Sequence, residues 1–210
     1  MARDYILHKV RTALGRNVAQ SPGPAPAARI RIPEMDLETR IRTFLACIEK
    51  LAGKTYRAAS TEEARGYVAR LVQGKAAVAS NAPILEACGI TGLTGVQAGF
   101  HSEPALREAC SRAEYGITGA DYALADTGTL VMLSSAQEAR MISLMPPVHI
   151  AIVDSSKLLT GLDELFTVLP NPAEQTSSMV LITGPSRTAD IEQILIRGVH
   201  GPGEIHVVLL

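Results

Sequence analysis

The sequence predicts an α/β domain with a mainly parallel sheet, preceded by an N-terminal helical arm. Three observations carry this expectation. Short apolar runs alternate with segments of helical periodicity along most of the chain. The runs, such as Val148 to Val153, are continuous rather than interleaved with polar residues, as in strands buried on both faces. The first 33 residues break this pattern: a short helical stretch leads into a Pro/Ala-rich segment that has no core-forming residues.

In order, residues 2–15 read as a helix, with Tyr5, Ile6, Val10 and Leu14 near helical spacing and Gly15 as a stop. Ser21 to Ala28 reads as a linker, so the domains are an arm over residues 1–33 and an α/β domain over 34–210. Leu37, Ile41, Phe44, Leu45 and Ile48 trace one face of a helix from about Asp36 to Ala52. Thr55 to Ala59 is a strand, and Ser60-Thr-Glu-Glu63 is a capping-box pattern that starts a helix through about Val72. Ala76 to Ala79 is a strand, Ile84 to Cys88 a short helix, Glu103 to Arg112 a helix and Tyr115 to Thr118 a strand. Two apolar runs flanking Asp126-Thr-Gly128 predict a β-hairpin, followed by a short helix over Glu138 to Leu144. The strand Val148 to Val153 and a helix over Leu162 to Val168 come next. The chain then closes with a strand at Met179 to Ile182, a Gly-Pro-Ser-Arg-Thr turn, a helix and a last strand. That turn is expected at the carboxyl end of a parallel strand, where open α/β sheets bind ligands.

Composition narrows the function classes. The 210 residues can bury roughly 70% of the unfolded chain's surface without staples. A net charge of −1 argues against a nucleic-acid binder that works by phosphate neutralisation. Cys47, Cys88 and Cys110 are far apart with no CxxC, so an iron–sulfur or zinc site built from this chain alone is not expected. No apolar run approaches the ~20 residues of a membrane span, and the N-terminus shows no signal-peptide pattern, so a cytoplasmic protein is expected.

Four constellations can carry chemistry. In Gly116 to Asp121 and Ala125 to Thr129, Asp121 and Asp126 either act as acid/base groups or cap their own turns. Gly128 lets the backbone approach a ligand or take positive φ, between the hydroxyls of Thr127 and Thr129. His149, after Pro146-Pro147, is either an acid/base or anion contact, or a satisfied strand-end histidine. In Gly184-Pro-Ser-Arg-Thr188, Ser186 or Thr188 is a natural N-cap and Arg187 offers a fork for a carboxylate. Asp190 and Glu192 in the following turn disfavour a strongly charged phosphate there. In Arg197 to Gly203 the glycines end a helix, and His200 can reach the crevice of Arg187. Arg140 is a further candidate, with a solvated side chain as its default role. No ligand spacing supports a metal, even were His149, His200 and Asp126 to converge.

Ala-Asp-Thr-Gly-Thr (125–129), Pro-Pro-Val-His-Ile-Ala (146–151), Gly-Pro-Ser-Arg-Thr-Ala-Asp-Ile (184–191) and Arg-Gly-Val-His-Gly-Pro-Gly (197–203) resemble the lactate-utilization (LUD) domain family. Within it they resemble the single-domain lactate utilization protein C group, closely from Ile90 to Leu210 and more loosely before. The resemblance implies a three-layer α/β/α sandwich similar to the glucosamine-6-phosphate deaminase, ribose-5-phosphate isomerase and CoA-transferase group. It also implies a part in oxidising L-lactate to pyruvate beside two iron–sulfur partner proteins. The chain departs from the wider fold group, whose sugar-phosphate isomerases use a carboxylate base helped by a lysine: Lys157 is the only lysine after residue 75.

Three readings of function follow. The chain is a non-redox subunit, with no cofactor of its own, that binds lactate or pyruvate through Gly184, Ser186, Arg187 and Thr188 or docks its partners. Alternatively it is a free-standing isomerase- or transferase-type enzyme on a small anion, with Asp121 or Asp126 abstracting a proton. Or it is a structural or regulatory protein whose arm binds a partner. The arm and apolar helix faces can also support a homo-oligomer.

Overall fold

The computed structural model describes residues 2–15, 33–188 and 196–210. The chain divides into two compact units, Met1–Arg31 and Ile32–Leu210. In the first, α1 (Ala2–Ala13) is an amphipathic helix with Tyr5, Ile6, Val10 and Leu14 exposed. The linker expected at 21–28 lies outside the described residues.

The second unit begins with α2 (Leu37–Lys50), whose N-cap Asp36 accepts a hydrogen bond from the Thr39 N–H. Then come β1 (Lys54–Arg57), α3 (Thr61–Val72), β2 (Ala77–Ala79), α4 (Pro83–Ala87), β3 (Val96–Gln97), α5 (Glu103–Arg112) and β4 (Tyr115–Gly119). The hairpin β5 (Tyr122–Leu124) and β6 (Thr129–Leu133) leads to α6 (Arg140–Leu144), β7 (Val148–Val153), β8 (Leu158–Leu159), α7 (Leu162–Val168) and α8 (Pro172–Gln175). Last are β9 (Met179–Ile182), β10 (Arg187–Thr188), β11 (Ile196–Arg197) and β12 (Glu204–Leu209). The capping box at α3 holds in modified form. Ser60 Oγ accepts from the Glu63 N–H, while the Glu63 carboxylate reaches one residue further back, to the Ala59 N–H.

Six strands form the central sheet in the order β1-β12-β7-β4-β2-β3, every neighbour parallel. Its inner strands are apolar on both faces because both are covered. Ile150, Ile152 and Val208 face α3 and α4, packing with Val68, Val72, Leu85 and Ile117. The intervening Ala151, Val153, Val207 and Leu209 face α2, with Ile41, Phe44 and Ile48, and the hairpin residues Ala123 and Leu130. Phe44 and Ile48 are completely buried, each worth roughly 2–3 kcal/mol of apolar burial. The second face also carries α5 and α6, where Leu106, Cys110 and Ile142 pack on Val78.

The expected layering therefore holds, but one outer layer is only partly helical. It contains a second, mixed sheet in the order β8-β5-β6-β9. There β9 runs antiparallel to β6, pairing Ile182 with Leu130 and Met179 with Leu133. The expectation that the Gly-Pro-Ser-Arg-Thr turn ends a parallel strand is overturned. β9 is an edge strand of the small sheet, and its apolar run is only half buried. The helix expected after Thr188 is also corrected at both flanks. Arg187 and Thr188 pair as a strand with Arg197 and Ile196. The stretch between them, with Asp190 and Glu192, lies outside the described residues.

Candidate functional site

A cleft of about 210 Å³ opens at the amino ends of β7 and β12. Three sequence motifs are tied together to make it. The Ser186 N–H donates to the Pro202 carbonyl at 2.8 Å, and the Gly198 N–H returns a bond to the Ser186 carbonyl at 3.1 Å. The Gly203 N–H donates to the Pro147 carbonyl at 3.0 Å, joining the glycine-rich loop to the start of β7. On the remaining side stands α6, which contributes Arg140 and Ser143. It approaches so closely because residue 116 is glycine: a Cβ there would lie 2.0 Å from the Ile142 carbonyl oxygen.

His149, Gly184, Ser186 and His200 all line this cleft, beside Arg140, Ser143 and Thr183. Among the described residues no Asp or Glu lines it. An arginine, two histidines and several hydroxyls without a competing carboxylate suit a small anion. His149 is 1% exposed, and its Nε2 lies 2.8 Å from Thr118 Oγ1. Burial pushes its pKa down to about 4, so at neutral pH it is uncharged. Its Nδ1 has no hydrogen-bond partner among the described residues, which leaves one ring nitrogen for a ligand or water. Which nitrogen bears the proton depends on the Thr118 hydroxyl.

The Ala125–Thr129 motif stands behind the cleft wall rather than in it. Thr127 Oγ1 donates to Asp126 Oδ1 at 3.1 Å, and Thr129 Oγ1 donates to Thr127 Oγ1 at 2.9 Å. Thr129 then has no proton left for Thr183 Oγ1, 2.8 Å away, so Thr183 must be the donor there. The chain of hydroxyls ends on the Asp126 carboxylate and fixes the rotor of Thr183, which does line the cleft. Gly128 takes φ +66°, and a Cβ on it would meet Cys47 Cβ and the Ile48 nitrogen at 2.9 Å. Its glycine is thus required by the close passage of α2.

The remaining candidates have other surroundings. Gly184 also abuts α2, at Leu51. Arg187 is exposed, does not line the cleft, and its Nη2 donates to the Leu51 carbonyl at the carboxyl end of α2. Thr188 sits in β10, and no helix start at Ser186 or Thr188 is present among the described residues. Asp121 lies in a second cavity, where its Oδ2 accepts the Leu133 N–H at 2.6 Å and burial raises its pKa. Among the described residues no group of three His, Cys, Asp or Glu could hold a metal ion. The sequence reading gave Arg140 a solvated default and overlooked Ser143, Thr183 and Glu138. Nothing in their spacing marks them, since the approach of α6 to the sheet creates their setting.

A parallel sheet covered on both faces, with a small cleft at one end lined by an arginine, histidines and hydroxyls, defines a protein of the α/β sandwich class. Residues 41–210 match the LUD domain, and the chain belongs to the LUD domain family. The chain is similar to a DUF162 family protein from Deinococcus radiodurans, with a TM-score of 0.64 at 21% identity, covering 84% of this chain and 99% of that one. It is 43% identical over 101 residues to a protein named lactate utilization protein C from Halalkalibacterium halodurans (46% of this chain, 44% of that protein). It is 40% identical over 114 residues to one of the same name from Exiguobacterium sp. (52% and 50%). A third, from Bacillus subtilis, is 37% identical over 103 residues (47% and 43%). The matched region spans about half the length of these curated relatives. No helix among the described residues is long and apolar enough to cross a membrane.

Proposed function

We propose that this chain serves lactate utilization as the non-redox subunit of a cytoplasmic system that oxidises L-lactate to pyruvate with iron–sulfur partner proteins. The names of its relatives support the process. Three cysteines without cluster spacing support the assignment of electron transfer to the partners. The observation that carries a binding role is the cleft that gathers Arg140, His149, Ser186 and His200, with no carboxylate among the described residues that line it. In it Arg140 holds the carboxylate of lactate or pyruvate, while the Ser186 hydroxyl and the free nitrogen of His149 meet the 2-hydroxyl or 2-oxo group. Residues 1–33 act as an arm for partner docking or self-association.

Isothermal titration of the full chain with L-lactate and pyruvate tests this, alongside Arg140→Ala and Arg187→Ala. Saturable heat that Arg140→Ala abolishes and Arg187→Ala retains is the expected result. Heat lost only in Arg187→Ala, or absent for both compounds, refutes the assigned cleft.

A further inference from the structure

A cavity of about 550 Å³ lies at the opposite, carboxyl end of the central sheet, bordered by Gly119, Asp121, Tyr122, Glu138, Asp154 and Lys157. Its position follows from the topology. The connection leaving β2 enters α4, which packs on one face of the sheet with Ile117 and Ile150. The connection leaving the adjacent β4 enters the hairpin and α6, which pack on the other face with Ala151 and Val78. Two neighbouring strands whose connections depart to opposite faces leave a crevice between their carboxyl ends, the usual ligand position in open α/β sheets.

Glu138 sits in that crevice. It is 6% exposed, and its Oε2 accepts the Ser80 hydroxyl at 2.8 Å and the Gly119 N–H at 3.2 Å. Ser80 follows β2 and Gly119 ends β4, so this one oxygen bridges the two strands. Oε1 has no hydrogen-bond partner among the described residues. Burial, opposed by these two hydrogen bonds, pushes the pKa up to about 8. The acid form therefore prevails at neutral pH. Because Oε2 already accepts two donors, the proton belongs on Oε1, where it is a buried O–H donor without an acceptor. Such a group is costly unless something accepts from it.

We propose that this cavity is a second small-molecule site, taking a small carbonyl compound that is neutral or carries a single carboxylate, whose carbonyl oxygen accepts from the Oε1 hydroxyl of Glu138. The surrounding charges set the ligand class. The other titratable groups lining the cavity are Asp121, Tyr122, Asp154 and Lys157. Asp121 accepts the Leu133 N–H and Asp154 accepts the Ser156 N–H at 2.8 Å, so both carboxylates are already held by backbone. Lys157, whose ammonium lies 5.8 Å from the Tyr122 ring centroid, is the one cation among the described residues of the lining. Two carboxylates against one ammonium disfavour a phosphate ester and tolerate at most one ligand charge.

The test is a ligand-observed NMR titration of the full chain with pyruvamide, a carbonyl compound with no carboxylate for Arg140 to hold. Saturable binding is expected at pH 7, weakening about ten-fold by pH 9 as Glu138 ionises. Glu138→Gln keeps a donor at the same place, so it should bind without that pH dependence. Glu138→Ala should bind at least ten-fold more weakly. Thermal unfolding of Glu138→Gln checks that the fold persists. Absence of saturable binding by the unaltered chain overturns the proposal, as does a pH-independent affinity, full binding by Glu138→Ala, or the same pH fall in Glu138→Gln. None of these results bears on whether Arg140 holds lactate.

Discussion

Arg187 donates a guanidinium hydrogen bond to the carbonyl of Leu51, the residue that caps the carboxyl end of α2. The last carbonyls of a helix have no intrahelical partner and carry its negative partial charge, so a cation there is stabilising. Gly128 and Gly184 abut the same end of α2, at Cys47, Ile48 and Leu51. Two motifs that read as ligand loops are thus also the anchors of this helix. Arg187→Ala is expected to lower stability by about 1 kcal/mol, measured by urea unfolding, and to leave carboxylate binding within two-fold.

Gly128→Ala should be far more damaging. The substitution places a Cβ against α2 at a backbone conformation that L side chains rarely adopt. A loss of about 2–4 kcal/mol is expected from the urea midpoint.

Thr129→Val removes the middle of the hydroxyl chain while preserving shape. Thr183 loses its acceptor and Thr127 its donor. Stability should fall by about 1–2 kcal/mol, and lactate affinity should weaken several-fold because the cleft hydroxyl of Thr183 is released. Calorimetric unfolding and titration together read both effects.

His149 makes the fold acid-sensitive. Its folded pKa of about 4 lies below its unfolded value near 6.5, so the unfolded chain binds the extra proton. Its contribution is fully present above pH 6.5 and is lost as pH falls toward 4. Between pH 7 and pH 5 the unaltered chain should lose about 2 kcal/mol more than His149→Gln does. His206, lowered by burial against the opposing pull of Glu204, acts in the same direction in both proteins.

Glu138 has the opposite sign. Its folded pKa of about 8 exceeds the unfolded 4.5, so the folded chain holds the proton that the unfolded chain releases. Stability relative to Glu138→Gln should fall as pH rises from 4.5 to 8, by about 3 kcal/mol at pH 7. Urea midpoints at four pH values across that window check it.

Much of the architecture was legible because its signals are local. The apolar spacing of α2, the serine cap of α3, the turn at Gly128 and the unbroken run of β7 each fix an element from within. The two-residue strands β3 and β8 carry no such period and exist only through pairing with β2 and β5. The direction of β9 is equally non-local: the run from Met179 to Ile182 suits either sense, and the hairpin it joins decides. The same holds for the cleft. His149, Gly184, Ser186 and His200 were legible as polar residues in Gly/Pro turns beside strands. Glu138 lies just before a helix and Arg140 at its start, where glutamate and arginine are usually solvated. Only tertiary packing gives them a cavity.

The two cavities lie at opposite ends of one strand, with His149 near the start of β7 and Asp154 just past its finish. Six residues at about 3.3 Å each separate them by roughly 20 Å. Between them the strand is clamped on both sides by parallel neighbours and buried on both faces. Substitutions at one end should therefore add to those at the other, with no coupling energy between them. Each end of the sheet could then diverge in its ligand without retuning the other.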